Sequence, residues 1–324
     1  MKTRFTAALA TAAALLTLST SAFAQYPNKP IRLLVPFAPG GSSEIVSRAY
    51  GAEMAKVLGQ NVIVENKPGG AGNIAMVEAK NAEKDGYTII LGHVGTLAVN
   101  PAMFGAKLPY DPVKDFIPIT LLSKVPSLIV VNASVPAKNL KEYIALAKSK
   151  PGAVNYGSAG NGSSGHLAMA YLNQSTGVDT QHVPYKGTGP MLTDLLAGRL
   201  EATFTGAPPL LPHVKDGKLR AIGVGTSKRI PVLPDVPTVA EQGYAGFETS
   251  QWYGLLAPAG TPDAIIQKLA AAAAAAAKTP GVAERLAAEA AEPVTNTSKE
   301  FAAYIATEMK RWGEVVKKGN IKVD

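Results

Sequence analysis

Three short segments concentrate glycine with serine or asparagine: Pro39-Gly40-Gly41-Ser42-Ser43-Glu44, Asn66-Lys67-Pro68-Gly69-Gly70-Ala71-Gly72-Asn73 and Gly157-Ser158-Ala159-Gly160-Asn161-Gly162-Ser163-Ser164-Gly165-His166. Each follows a β-rich run and opens a helical one. The chemistry such a turn supports is anion binding. A helix start presents unpaired N–H groups and the positive end of its dipole. Glycine lets a ligand reach the backbone, and serine adds hydroxyl donors. Any one of these segments could also be a plain tight turn, because glycine and serine are ordinary turn residues. Two of them in separate halves of the chain favour a cleft.

Other chemistries fit less well. Gly160-Asn161-Gly162-Ser163-Ser164-Gly165 spells the dinucleotide fingerprint G-x-G-x-x-G. That fingerprint needs an acid at the end of the next strand to hold the ribose. Asp179 precedes its strand instead, so no nucleotide cofactor is expected. The nucleophile elbow G-x-S-x-G is absent around Ser158, Ser163 and Ser164. Ser163 and His166 lie three apart on one helix turn and make no triad. Acids are sparse near the glycine-rich segments, which offers no carboxylate pair for glycosidase work. The four histidines, His93, His166, His182 and His213, show no H-x-x-x-H spacing. The chain has no cysteine, which removes disulfides, thiol nucleophiles and cysteine metal sites together. The reading is a binder, not an enzyme, with no metal and no cofactor.

The elements that must position these turns alternate. Strands are expected at 31–37, 61–65 and 88–91, with helices at 43–58 and 73–82 between and after them. A second series begins near residue 126, with strands at 128–132, 154–157, 180–183, 201–205 and 220–225. Its helices are expected at 140–149, 165–175 and 188–197. This alternation predicts an α/β protein with a largely parallel sheet. The alanine-rich 262–278 reads as a helix, since alanine is the best helix former. Residues 301–316 read as a final amphipathic helix that places Phe301, Tyr304, Ile305 and Trp312 in the core.

The first residues point to export. Lys2 and Arg4 precede a run rich in Ala, Leu and Thr, and Ala22-Phe23-Ala24 supplies a small-x-small cleavage pattern. Residues 1–24 are therefore expected to be a signal peptide, and a lipoprotein is excluded by the missing cysteine. Removing those 24 of the 324 residues leaves 300, enough for two domains. It also takes the formal charge from +8 to +6. The basic residues are scattered rather than striped, which argues against nucleic acid. No later run is long and apolar enough to cross a membrane.

The opening Tyr26-Pro27-Asn28-Lys29-Pro30-Ile31-Arg32-Leu33-Leu34-Val35-Pro36-Phe37-Ala38-Pro39-Gly40-Gly41 resembles that of the Bug-type extracytoplasmic solute receptors. These are the substrate-binding components of tripartite tricarboxylate transporters. The likeness continues through Asn66 to Asn73, Leu108-Pro109-Tyr110-Asp111-Pro112, Tyr156-Gly157-Ser158-Ala159-Gly160, His182-Val183-Pro184-Tyr185-Lys186-Gly187 and Trp252-Tyr253-Gly254-Leu255-Leu256-Ala257-Pro258. It implies a type 2 periplasmic binding protein fold, with two α/β lobes and a ligand cleft between them. Lobe 1 would hold 25–124 plus 250–324, and lobe 2 would hold 125–249.

The resemblance also implies a site. Phe37, Gly41, Ser42 and Ser43 would form one jaw on a ligand carboxylate, and Ser158, Ala159, Gly160, Asn161 and Ser163 the other, partly through ordered water. His93, Tyr185, Thr205 and Gly206 would face the variable end of the ligand. His166 either caps the site or packs within its helix. Family members often carry Asp where this chain has Glu44, and Glu44 is placed to pair with Arg48 one turn on. The implied function is a periplasmic receptor, a monomer, for a di- or tricarboxylate or an aromatic acid, delivering it to membrane permease subunits. The alternative is a sensing component for a membrane signalling receptor. A periplasmic hydrolase is third.

Overall fold

A computed structural model describes residues 26–288 and 290–318. The expected signal peptide lies outside the described residues. In chain order the elements are β1 (Ile31–Val35), α1 (Ser42–Leu58), β2 (Val62–Asn66), α2 (Asn73–Lys80), β3 (Thr88–His93), α3 (Asn100–Phe104) and β4 (Phe116–Asn132). There follow α4 (Leu140–Ser149), β5 (Asn155–Ser158), α5 (Ser164–Thr176), β6 (Gln181–Pro184), α6 (Thr188–Leu196), β7 (Ala202–Gly206), α7 (Leu211–Lys215) and β8 (Leu219–Val224). The chain closes with β9 (Ser250–Pro258), α8 (Asp263–Ala277), α9 (Pro280–Ala288), β10 (Glu292–Pro293) and α10 (Ser298–Lys318).

The strands run β2-β1-β3-β9-β4-β7-β5-β6, with β8 and β10 also pairing with β4. β1 is flanked by parallel neighbours on both sides. Its Ile31, Leu33, Leu34 and Val35 are fully buried because helices cover both faces. Strand alternation sends Leu33 and Val35 to one core, shared with Val46 and Tyr50 of α1 and Leu269 of α8. Leu34 goes to a second core with Met76 of α2 and Phe301 of α10. Two further cores lie on the other half of the sheet, one with Tyr143 and Met169 and one with Met191 and Leu195.

The sheet is not largely parallel. β9 runs antiparallel to both β3 and β4, and β4 runs antiparallel to β7 and β8. The reason is β4 itself. Its residues 116–126 pair with β9, and its residues 127–132 pair with β7 and β8. It is thus the strand by which the chain crosses from one half of the sheet to the other, and β9 brings it back. Only 128–132 of β4 was legible as strand. Pro118 and Pro126 demote the earlier part in a sequence reading, since proline lacks a ladder donor. In the structure the register shifts just after Pro118, a bulge that absorbs it. The expected helices 140–149 and 188–197 are found within one residue of those bounds. Phe301, Ile305 and Trp312 are buried as expected, and Tyr304 is packed against the same core.

Candidate functional site

Three helix starts meet in a small cup between the two halves of the sheet. α1 enters through Ser42 and Ser43, α5 through Ser163 and Ser164, and α6 through Thr188. Gly40 makes the turn into α1 with a left-handed backbone, φ +90°. Gly41 is then the N-cap with no side chain to satisfy the first amides. Gly187 caps α6 in the same bare way. Ser163 caps α5 and accepts the His166 N–H. The leading amides of a helix have no intrahelical acceptor, so these three helices of 17, 13 and 9 residues turn their positive ends toward one space.

The floor comes from strand ends. Tyr253 donates its hydroxyl to Gln251 Oε1, and Gln251 Nε2 donates to Thr205 Oγ1 at 3.2 Å. This chain fixes which way the Gln251 amide points. His93 stands beside them, with the Phe37 ring edge-on at 4.6 Å between centroids. The Thr96 N–H donates to His93 Nδ1 at 3.1 Å, so the neutral ring carries its proton on Nε2. Burial pushes the His93 pKa down to about 3. Burial also raises the Tyr253 hydroxyl well above its ordinary range. The cup therefore holds hydroxyls, an amide and a neutral imidazole, and no charged side chain. It encloses about 260 Å³ of interatomic space.

Glu44 does not face the cup. Its Oε2 accepts the Gly40 N–H at 2.7 Å and its Oε1 pairs with Arg48 at 2.7 Å, the expected one-turn ion pair. The carboxylate is consumed in holding the turn.

Past Phe37 and Ala159 the cup adjoins a wider chamber with about 1170 Å³ of interatomic space. Gly160, Asn161 and Tyr185 line it, as does the second glycine-rich segment, Gly69 to Gly72. The Tyr185 hydroxyl donates to Asp194 at 2.6 Å. Burial and that carboxylate push its pKa up to about 12.

The structure thus brings Phe37, Ser42, Ser43, His93, Ala159, Ser163 and Thr205 to the cup, and Gly160, Asn161 and Tyr185 to the chamber. Four expected residues stand behind these walls instead. Gly41 packs under Thr188, and Gly206 packs against Ser42 and Gln251. Ser158 Oγ accepts the Gly160 N–H at 3.1 Å and lies 2.7 Å from His182 Nε2. Its hydroxyl is taken up in shaping the loop. His166 stacks on His182 with ring centroids 4.1 Å apart, and its Nδ1 accepts the Gly162 N–H. Of its two readings, the structure favours the packed helix histidine over the cap. Ser164, Thr188, Gln251 and Tyr253 were not anticipated. Thr188 opened an expected helix, and Tyr253 lay in a quoted motif, but neither segment carried a glycine-serine signal.

Opposite halves touch around this site. The Ala38 N–H donates to the Lys186 carbonyl at 3.1 Å. A Cβ on Gly187 would lie 2.8 Å from Ala38. The cleft is closed.

His93 and His182 predict a pH dependence. Burial, and for His182 also the neighbouring His166, push both pKa values from 6.5 to about 3. The unfolded chain then binds more protons than the folded one as pH falls below about 6.5. Stability is full above that pH and declines steadily toward pH 3. At pH 5.5 each histidine should cost about 1 kcal/mol, from 1.36 kcal/mol per unit. Urea unfolding at pH 7.5 and 5.5 checks this. His182→Gln should remove about half of the difference.

Residues 46–321 match the family described as "Tripartite tricarboxylate transporter family receptor". The chain is 35% identical over 299 residues to Protein BugT of Bordetella pertussis, covering 92% of this chain and 91% of that protein. It superposes on R. palustris Rpa4515 with adipate at TM-score 0.88 and 34% identity, covering 92% of this chain and 99% of the other. It superposes on MatC (Rpa3494) from Rhodopseudomonas palustris with bound malate at TM-score 0.87 and 37% identity, covering 90% and 100%. The fold is that of the periplasmic binding proteins, two α/β lobes with the cleft between them.

Proposed function

The chain belongs to the tripartite tricarboxylate transporter receptor family, and from that premise we propose that it captures a small carboxylate in the periplasm and delivers it, unaltered, to permease subunits of such a transporter. The residues 25–124 plus 250–324 would form lobe 1 and 125–249 lobe 2, moving about β4 and β9. One observation carries the reading: three helix N-termini converge on a cup with no charged side chain. Such a cup attracts a carboxylate by dipoles and amides alone, without a cation to neutralise it. Phe37, Ser42, Ser43, Ser163 and Thr188 would surround the carboxylate, with His93 Nε2–H as a neutral donor. The relatives holding adipate and malate fit this class.

The same cup disfavours amino acids. An α-ammonium group would enter the field of three positive helix ends, and Glu44 is turned away and already paired. Thermal unfolding in the presence of a ligand panel tests this. At 100 times the Kd, a bound carboxylate should add about 2.7 kcal/mol of stability, and at least one di- or tricarboxylate should do so. Aspartate and glutamate should shift the midpoint far less than their ammonium-free counterparts, succinate and glutarate. No response to any carboxylate, or a stronger response to the amino acids, would count against the reading.

A further inference from the structure

The cup and the chamber differ in chemistry, and a ligand too large for the cup must meet both. The chamber wall is apolar: Phe37, Ala71, Phe104, Pro184, Pro190 and the ring of Tyr185. Its polar side chains are few. The Tyr185 hydroxyl is already committed to Asp194. Asn161 offers one amide. Among the described residues Lys186 is the only charged side chain lining this wall; it is exposed, and its ammonium makes no ion pair with them. A ligand hydroxyl placed against this wall would give up water for carbon, which costs free energy. A methylene chain or a ring there would gain about 25 cal/mol per Å² of apolar surface covered.

We infer that this receptor selects a carboxylate with an apolar body, aliphatic or aromatic, whose far end carries a second acid group within reach of Lys186. The inference rests on the carboxylate reading above and narrows it: short hydroxylated acids are disfavoured, and so are monoacids of equal body. Lys186 is then the specificity residue for the second charge. Phe104, at the end of α3, lines the same chamber as Tyr185 and Pro190 and is the specificity residue for the body.

Titration calorimetry on the mature chain tests this with four probes: adipate, hexanoate, malate and citrate. Adipate should bind at least tenfold tighter than malate or citrate, and tighter than hexanoate. In Lys186→Ala the ratio of adipate to hexanoate affinity should fall about tenfold. In Phe104→Ala both adipate and hexanoate should weaken about fivefold relative to malate. Malate or citrate binding as tightly as adipate overturns the inference and leaves the carboxylate reading standing. An adipate-to-hexanoate ratio that Lys186→Ala does not change overturns the role of Lys186. If none of the four binds while another carboxylate of the thermal panel does, the inference falls alone; if no carboxylate binds at all, the carboxylate reading falls with it.

Discussion

Replacing Gly189 by alanine should weaken ligand binding about 5- to 150-fold while leaving the ligand-free protein as stable as before. Gly189 sits in the first turn of α6, facing the turn into α1. A Cβ there would lie 2.1 Å from the Pro39 carbonyl oxygen and 3.5 Å from the Gly40 Cα. Both neighbours are backbone, so no side chain can swing aside. Relief requires the two turns to separate. That separation also strains the Ala38 N–H bond to Lys186 O and lifts Thr188 from Gly41. Overpacking against fixed structure costs about 1–3 kcal/mol, and each 1.4 kcal/mol is tenfold in affinity. On the proposed opening of the cleft the cost would fall on the closed form alone. In an open form the methyl would meet water, and alanine improves on glycine within a helix by up to about 1 kcal/mol. Calorimetry for affinity and a melt of the ligand-free protein separate the two effects. Unchanged affinity would mean that closure does not bring these turns together.

The second large effect concerns the strand that carries the floor of the cup. Strand alternation turns Gln251 and Tyr253 toward the cup and Trp252 to the opposite face. Trp252 is fully buried there, edge-on to Phe301 and Tyr304. Its Nε1–H donates to Glu308 Oε2 at 2.9 Å, and Trp312 donates to the same oxygen at 3.2 Å. One buried carboxylate thus ties β9 to α10. Trp252→Ala should cost about 3–5 kcal/mol, the usual range for deleting a buried aromatic side chain. Trp252→Phe keeps most of the volume and loses the charge-assisted bond, and should cost about 1.5–3 kcal/mol. Denaturant midpoints report both losses, with the slope unchanged if only stability is altered. A cost below about 1 kcal/mol for the alanine variant would mean that α10 does not hold β9 in place.

Much of this site was legible in the residues, for local reasons. The turns at 39–43 and 157–163 announce themselves through glycine and serine, because a bare helix start needs those types. The Glu44–Arg48 pair follows from helix geometry and stands in the structure. What was not legible depends on long-range pairing. Gln251 reaches Thr205 only because β9 and β7 flank the same crossing strand. Ser158 finds His182 because β5 and β6 pair in parallel. That contact moves Ser158 from the wall of the site to its scaffold. The crossing strand was hidden by its own prolines, and with it the antiparallel centre of the sheet.

The arrangement makes a direct claim about where a carboxylate binds. A crystal structure with adipate bound should place one intact carboxylate in the cup. Its oxygens should lie within hydrogen-bond distance of the amides or hydroxyls that open α1, α5 and α6, directly or through one water, with the carbon chain running past Phe37 into the chamber. A carboxylate bound away from those three helix starts, or found cleaved or attached to Ser163, would contradict it.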